Sequence, residues 1–114
     1  MRLSDYQRGA TETAVYPEQG NVGGLMYAAL GLAGEAGEIA NKVKKVFRDG
    51  ATDSPDKRAE RMLELQKELG DVLWYVAALA TELGCDLDAV ARGNLQKLQS
   101  RKARGVLGGS GDDR

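Results

Sequence analysis

Four carboxylates in two pairs stand out in this 114-residue chain. Glu35 and Glu38 lie three apart in GLAGEAGEIANKVKK, residues 31–45. Glu68 and Asp71 lie three apart in KELGDVLWYVAALA, residues 67–80. At 100° per residue, a spacing of three puts two helical side chains in one sector, about a turn apart. Leu32, Ile39 and Val43 adjoin the first pair; Leu65, Leu69, Val72 and Val76 adjoin the second. Both pairs therefore border an apolar stripe instead of opposing it. Two helices that bury those stripes against each other bring all four acids together. Acids gathered this way repel and lose hydration, so the arrangement calls for a cation. Taken singly, ExxE or ExxD describes an ordinary solvated helix face. Their joint placement is what points to a site.

The composition narrows the cation and the reaction. Oxygen-only ligands suit Mg²⁺, with Mn²⁺ as a possible substitute, better than they suit zinc. The chain has no histidine. It therefore lacks a histidine base, a Ser-His pair and the Glu-x-x-His motif of di-iron bundles. DGATDSPDKRAE, residues 49–60, lacks the central glycine of an EF-hand loop. Metal-assisted chemistry on a substrate that brings its own oxygens remains. Tyr75 shares the stripe of Glu68 and Asp71, where it can meet substrate or serve as a core tyrosine with a satisfied hydroxyl. Lys42 and Lys45 are within reach of a phosphate, but Lys42 follows Glu38 by four residues and reads better as an i,i+4 ion pair. Trp74 falls to one side of the stripe and suits a subunit interface as well as base stacking. Cys85 has no assigned role.

Helices must position these groups. LSDYQRGATETAVY, residues 3–16, reads as a first helix with Ser4 as N-cap. A loop through Pro17 follows, then a second helix from Leu25 to Arg48, stopping at Asp49-Gly50. Ser54 caps the third helix with Pro55 in its first turn, and the helix runs to Leu83 with Gly84 as its C′ residue. Asp86 caps a fourth helix through Arg101. The fold class is all-α: an antiparallel bundle of four main helices, the second and third joined by a short connection. Residues 1–104 form the helical domain and residues 105–114 a glycine-rich tail. Gly31, Gly34 and Gly37 place roughly 3 kcal/mol of helix propensity at risk. With Ala28, Ala33, Ala36 and Ala40 they leave the glutamates little bulk around them, so that neighbouring helices or a substrate can come close.

The remaining composition sets the class of partner. The net charge is -1, with no basic excess to displace counterions from nucleic acid. One cysteine excludes an internal disulfide and fits a reducing compartment. The first residues show no apolar signal segment, and the longest apolar run, residues 72–80, is too short to span a bilayer. A cytoplasmic protein without membrane or nucleic-acid partners is expected. With one Phe and one Trp, the core is small, and a homodimer or a homotetramer is expected to complete it.

GLAGEAGEIANKVKK followed by ELGDVLWYVAALA resembles the MazG-like all-α nucleoside triphosphate pyrophosphohydrolases, whose metal motif is ExxE then ExxD. The likeness extends to DYQRGATETAVY and to NLQKLQSRKARGVLGGSGDDR. It implies Mg²⁺-dependent hydrolysis of a nucleoside triphosphate between its α- and β-phosphates, releasing a monophosphate and pyrophosphate in nucleotide-pool house-cleaning. It makes Glu35, Glu38, Glu68 and Asp71 the metal-binding catalytic set and Asn94 and Lys97 phosphate contacts. Arg101, next to them at the helix exit, is expected to join them, with a tail that is mobile when empty and closes over nucleotide. Many members carry a second glutamate where this chain has Gly34. The interval from Ile39 to Lys67 is long for the family, which a longer interhelical loop would absorb. A non-catalytic helical interaction module is the alternative. A nucleic-acid binder using Arg92, Lys97, Arg101, Lys102 and Arg104 is the weakest reading.

Overall fold

The computed structural model describes residues 1–114. It contains α1 (Leu3–Glu12), α2 (Val22–Asp49), α3 (Pro55–Glu82) and α4 (Leu87–Ala103), with a 3₁₀ turn at Gly50–Thr52 and no strand. At 28 residues each, α2 and α3 are about 42 Å long. Their contacts run Gly24 with Glu82, Gly31 with Tyr75 and Lys42 with Glu64. Numbers rise along one helix as they fall along the other, so the pair is antiparallel.

Local chemistry explains the reversal between them. Ser54 accepts the Lys57 amide at 3.1 Å, and Pro55 occupies the first helical turn, where its missing N–H is harmless. Arg61 grips Asp53 at 2.5 Å and ties α3 to the 3₁₀ turn. The long interval between the acidic pairs therefore lengthens the helices, not the loop, contrary to the sequence expectation. At the other end of α3, Gly84 at φ 67° closes a Schellman motif, with the Gly84 amide on the Thr81 carbonyl and that of Cys85 on Ala80. Asp86 then accepts the Asp88 amide at 2.8 Å and starts α4.

The first helix departs from the sequence reading. It ends at Glu12, four residues early, because the Thr13 hydroxyl turns back to the Ala10 carbonyl and Tyr16 leaves to be buried. Arg2 is the N-cap. Ser4 instead donates to Asp86 and Asp88 at 2.8 and 2.6 Å, pinning α1 to the start of α4. Tyr16 donates to Glu82 at 2.6 Å, and Glu82 also accepts the Gly20 amide at 3.0 Å. Burial and the Glu82 carboxylate push the Tyr16 phenol up to about 12, so it remains a donor at physiological pH.

The core is small and rich in alanine. Ala10, Ala77, Ala80 and Leu87 form one cluster, and Tyr16, Ala28 and Ala78 a second, with Trp74 packed against both. The radius of gyration is 17.5 Å, against about 13 Å for a compact chain of this size. Large apolar side chains stay exposed along α2, α3 and α4, among them Leu30, Phe47, Leu63, Leu69 and Leu95. No helix is long and apolar enough to cross a membrane.

The tail, expected to be mobile in the empty protein, folds back on the end of α4 in this conformation. Gly105 at φ 70° ends α4, and Arg101 donates to the Asp112 carbonyl at 2.6 Å. Arg104 donates to the carbonyl of Arg114, whose own guanidinium bonds the Gly111 and Leu107 carbonyls.

Candidate metal centre

Glu35 from α2 and Glu68 and Asp71 from α3 converge, with one carboxylate oxygen of each within 4.8 Å of the others. Glu35 and Glu68 are half-buried and Asp71 is exposed. Burial, then the charges of Asp71, Glu68 and Glu38, hold the Glu35 carboxyl above its ordinary range. This is the repulsion the sequence foretold. Glu38 lies one turn further along α2, exposed and outside the trio, although its charge reaches Glu35.

A cation of the chain's own already sits beside the trio. Lys42 Nζ is 3.0 Å from Glu68 and 4.0 Å from Glu64. The ion pair thus crosses between helices and does not run along α2 to Glu38, as the i,i+4 spacing suggested. Its hydrogen bond to Glu68 raises the Lys42 pKa, so the ammonium is firmly charged. The donor set is all oxygen, it has drawn in a positive charge, and one side stays open at Asp71. The trio therefore fits a hard divalent ion. Lys42→Met keeps the aliphatic stem and removes the competing charge. Mg²⁺ affinity measured by calorimetric titration should rise roughly fivefold or more. The metal-free variant should melt below wild type and recover when Mg²⁺ is added.

An aromatic cluster flanks the carboxylates. Tyr75 lies with its ring over the backbone of Gly31, where a β-carbon would sit 2.0 Å from Cε1. Trp74 meets Tyr75 and Tyr16 edge-on, at centroid distances of 5.0 and 6.3 Å, while Tyr27 stacks on Tyr16 at 5.0 Å. Burial, the Tyr27 phenol and the charges of Glu35 and Asp71 raise the Tyr75 pKa. Sequence reading missed Tyr27. Eight residues before Glu35, it lies about 80° round α2 from that side chain, so helical spacing gave no signal; its partners Tyr16 and Tyr75 reach it only on folding.

The remaining candidates lie elsewhere. Asn94 and Lys97 are exposed on α4, which packs chiefly against α1, and their side chains make no hydrogen bond or ion pair in the chain. Arg101 is 4% exposed under the tail, so in this conformation its guanidinium is committed to Asp112. Lys45 lines a small pocket with Lys42, Val46, Arg61 and Glu64.

Residues 26–106 match the MazG nucleotide pyrophosphohydrolase domain, and the chain belongs to that family. The matched span holds all four acidic positions, Tyr75 and the candidates on α4, and leaves α1 outside it. The chain is 53% identical over 117 residues to the Gene 37 protein of Mycobacterium phage L5, a match covering the whole of both chains. It is 38% identical over 69 residues to the uncharacterized protein YvdC of Bacillus subtilis (strain 168), covering 59% of this chain and 65% of that one. No solved structure matches it significantly.

Proposed function

We propose that this protein hydrolyses a nucleoside triphosphate to the monophosphate and pyrophosphate, with Mg²⁺ or in its place Mn²⁺, in nucleotide-pool house-cleaning in the cytoplasm. The observation that carries this reading is the convergence of Glu35, Glu68 and Asp71 from facing helices in a chain of the MazG family. Bound there, the ion would neutralise charge on phosphate oxygens and acidify water. Glu35, Glu68 and Asp71 would hold it, with Glu38 supporting the set from its edge. Tyr75 borders the reacting region, and Lys42, once freed from Glu68, offers its charge to a phosphate. Asn94 and Lys97 would add contacts from α4, and Arg101 would join them only when the tail opens.

The extended shape and exposed apolar side chains support a homodimer, or a homotetramer built from it. Light scattering at micromolar concentration should show no stable monomer. The direct test of function is incubation with each common NTP and dNTP, with and without Mg²⁺, followed by a pyrophosphate assay. Release that requires the metal supports the proposal. Its absence on every nucleotide favours a non-catalytic helical module.

A further inference from the structure

Tyr27 stands two turns before Glu35 on α2, about 12 Å away along the helix axis. Between them Gly31 presents no side chain, and the Tyr75 ring fills the space. Tyr27 is 43% exposed. Its ring lies nearly parallel to that of Tyr16, at 9° and 5.0 Å between centroids. Tyr16 is fixed in turn: it is buried, bonded to Glu82 and braced by the Trp74 edge. Tyr27 is therefore backed by an anchored ring, Tyr75 lies tilted beside it at 6.4 Å, and the residue still keeps 43% of its surface exposed. A flat phenol held in this way offers a stacking surface to another π-system.

Trp74, for which base stacking was one of two sequence expectations, is engaged differently. Its Nε1 donates to the Thr13 hydroxyl at 2.8 Å, and its half-buried ring sits edge-on to two tyrosines. It braces the cluster, and the pocket it lines faces α1, with Tyr6, Ala10 and Thr13. Resting on the triphosphate reading above, we propose that Tyr27 is the platform on which the substrate's nucleobase stacks while its phosphates reach Glu35, Glu68 and Asp71. The span from Tyr27 to the carboxylates suits a nucleotide laid along α2 past the Tyr75 ring that covers Gly31. Stacking of this kind tolerates any base, because every base has a π-face. Tyr27 then grips nucleotides as a class, and discrimination among bases falls to other groups.

The test separates base from phosphate. The sole tryptophan, Trp74, reports binding by its fluorescence. The full chain is titrated with each nucleoside monophosphate and with ribose 5-phosphate, which lacks the base. Wild type should bind the best monophosphate at least tenfold more tightly than ribose 5-phosphate. Tyr27→Leu, which keeps apolar bulk but no π-face, should lose that tenfold and raise KM for the triphosphates equally. Tyr27→Phe should stay within threefold of wild type on both measures, and ribose 5-phosphate binding should be unchanged in all three proteins. Melting curves check that each variant is folded. A folded Tyr27→Leu within twofold of wild type on every nucleotide overturns the platform while leaving hydrolysis intact. Equal binding of monophosphates and ribose 5-phosphate by wild type overturns it as well. Absence of pyrophosphate release from wild type instead removes the enzymatic reading, and the binding result is read separately.

Discussion

Asp71→Asn is expected to lower kcat/KM for the best nucleotide by about 10³-fold, the scale of metal-borne charge stabilisation in such reactions. Asparagine keeps the size of the side chain and one oxygen but loses the anionic charge. The metal-free variant should nevertheless melt at or above the wild-type temperature. Glu35, Glu68 and Asp71 crowd three carboxylates within 4.8 Å, and removing one charge relieves their repulsion. A variant that is more stable and nearly inactive separates a ligand role from a structural one. Glu68→Gln should lose activity to a similar degree. It should gain less stability, because it also strips Lys42 of its nearest partner. Glu38→Gln is the informative contrast. Its carboxylate stands outside the trio, so the expected loss is about 10–100-fold, the range for groups that support a metal site from its second layer. Activity of Asp71→Asn within tenfold of wild type would remove the trio from the mechanism.

The carboxylates were legible in the sequence because helical geometry is rigid. A spacing of three beside an apolar stripe fixes a side chain's sector, and Glu35, Glu68 and Asp71 met; Glu38, with the same spacing, stayed outside because it lies one turn beyond the facing pair. Helix ends were equally legible where a side chain caps, at Ser54 and Asp86, and where glycine allows positive φ, at Gly84. What escaped depended on partners distant along the chain. Lys42 had a carboxylate four residues away and chose Glu68 on the facing helix, which local spacing cannot foresee. Ser4 looked like an N-cap, but its hydroxyl was claimed by Asp86 and Asp88, more than eighty residues on. The tail looked disordered by composition, yet Arg101, Arg104 and Arg114 satisfy its carbonyls. Four aromatic residues spread from position 16 to 75 form one cluster only after α1, α2 and α3 pack.

Gly31→Ala should be the most damaging of the substitutions at Gly31, Gly34 and Gly37, although alanine is the better helix former by about 1 kcal/mol. The new β-carbon would lie 2.0 Å from Tyr75 Cε1 and 2.4 Å from Cζ, so the ring must leave its place. It has little room to do so, since Trp74 stands against it edge-on and Tyr27 lies tilted over it at 6.4 Å. Overpacking of this kind typically costs about 1–3 kcal/mol, enough to cancel or exceed the gain in propensity. The larger effect should fall on activity. Moving Tyr75 disturbs the surface between Tyr27 and Glu35, and misplacement by about 1 Å can cost 10²-fold. A fall in kcat/KM of that order, with a melting temperature at or below wild type, is the expected result. Gly34→Ala and Gly37→Ala supply the control, because a β-carbon at either position meets no atom of its own chain within 4 Å. Destabilisation at those two sites would report a second copy packed on that face. Wild-type activity in Gly31→Ala would mean that Tyr75 can move without consequence. The close approach at Gly31 would then be packing alone.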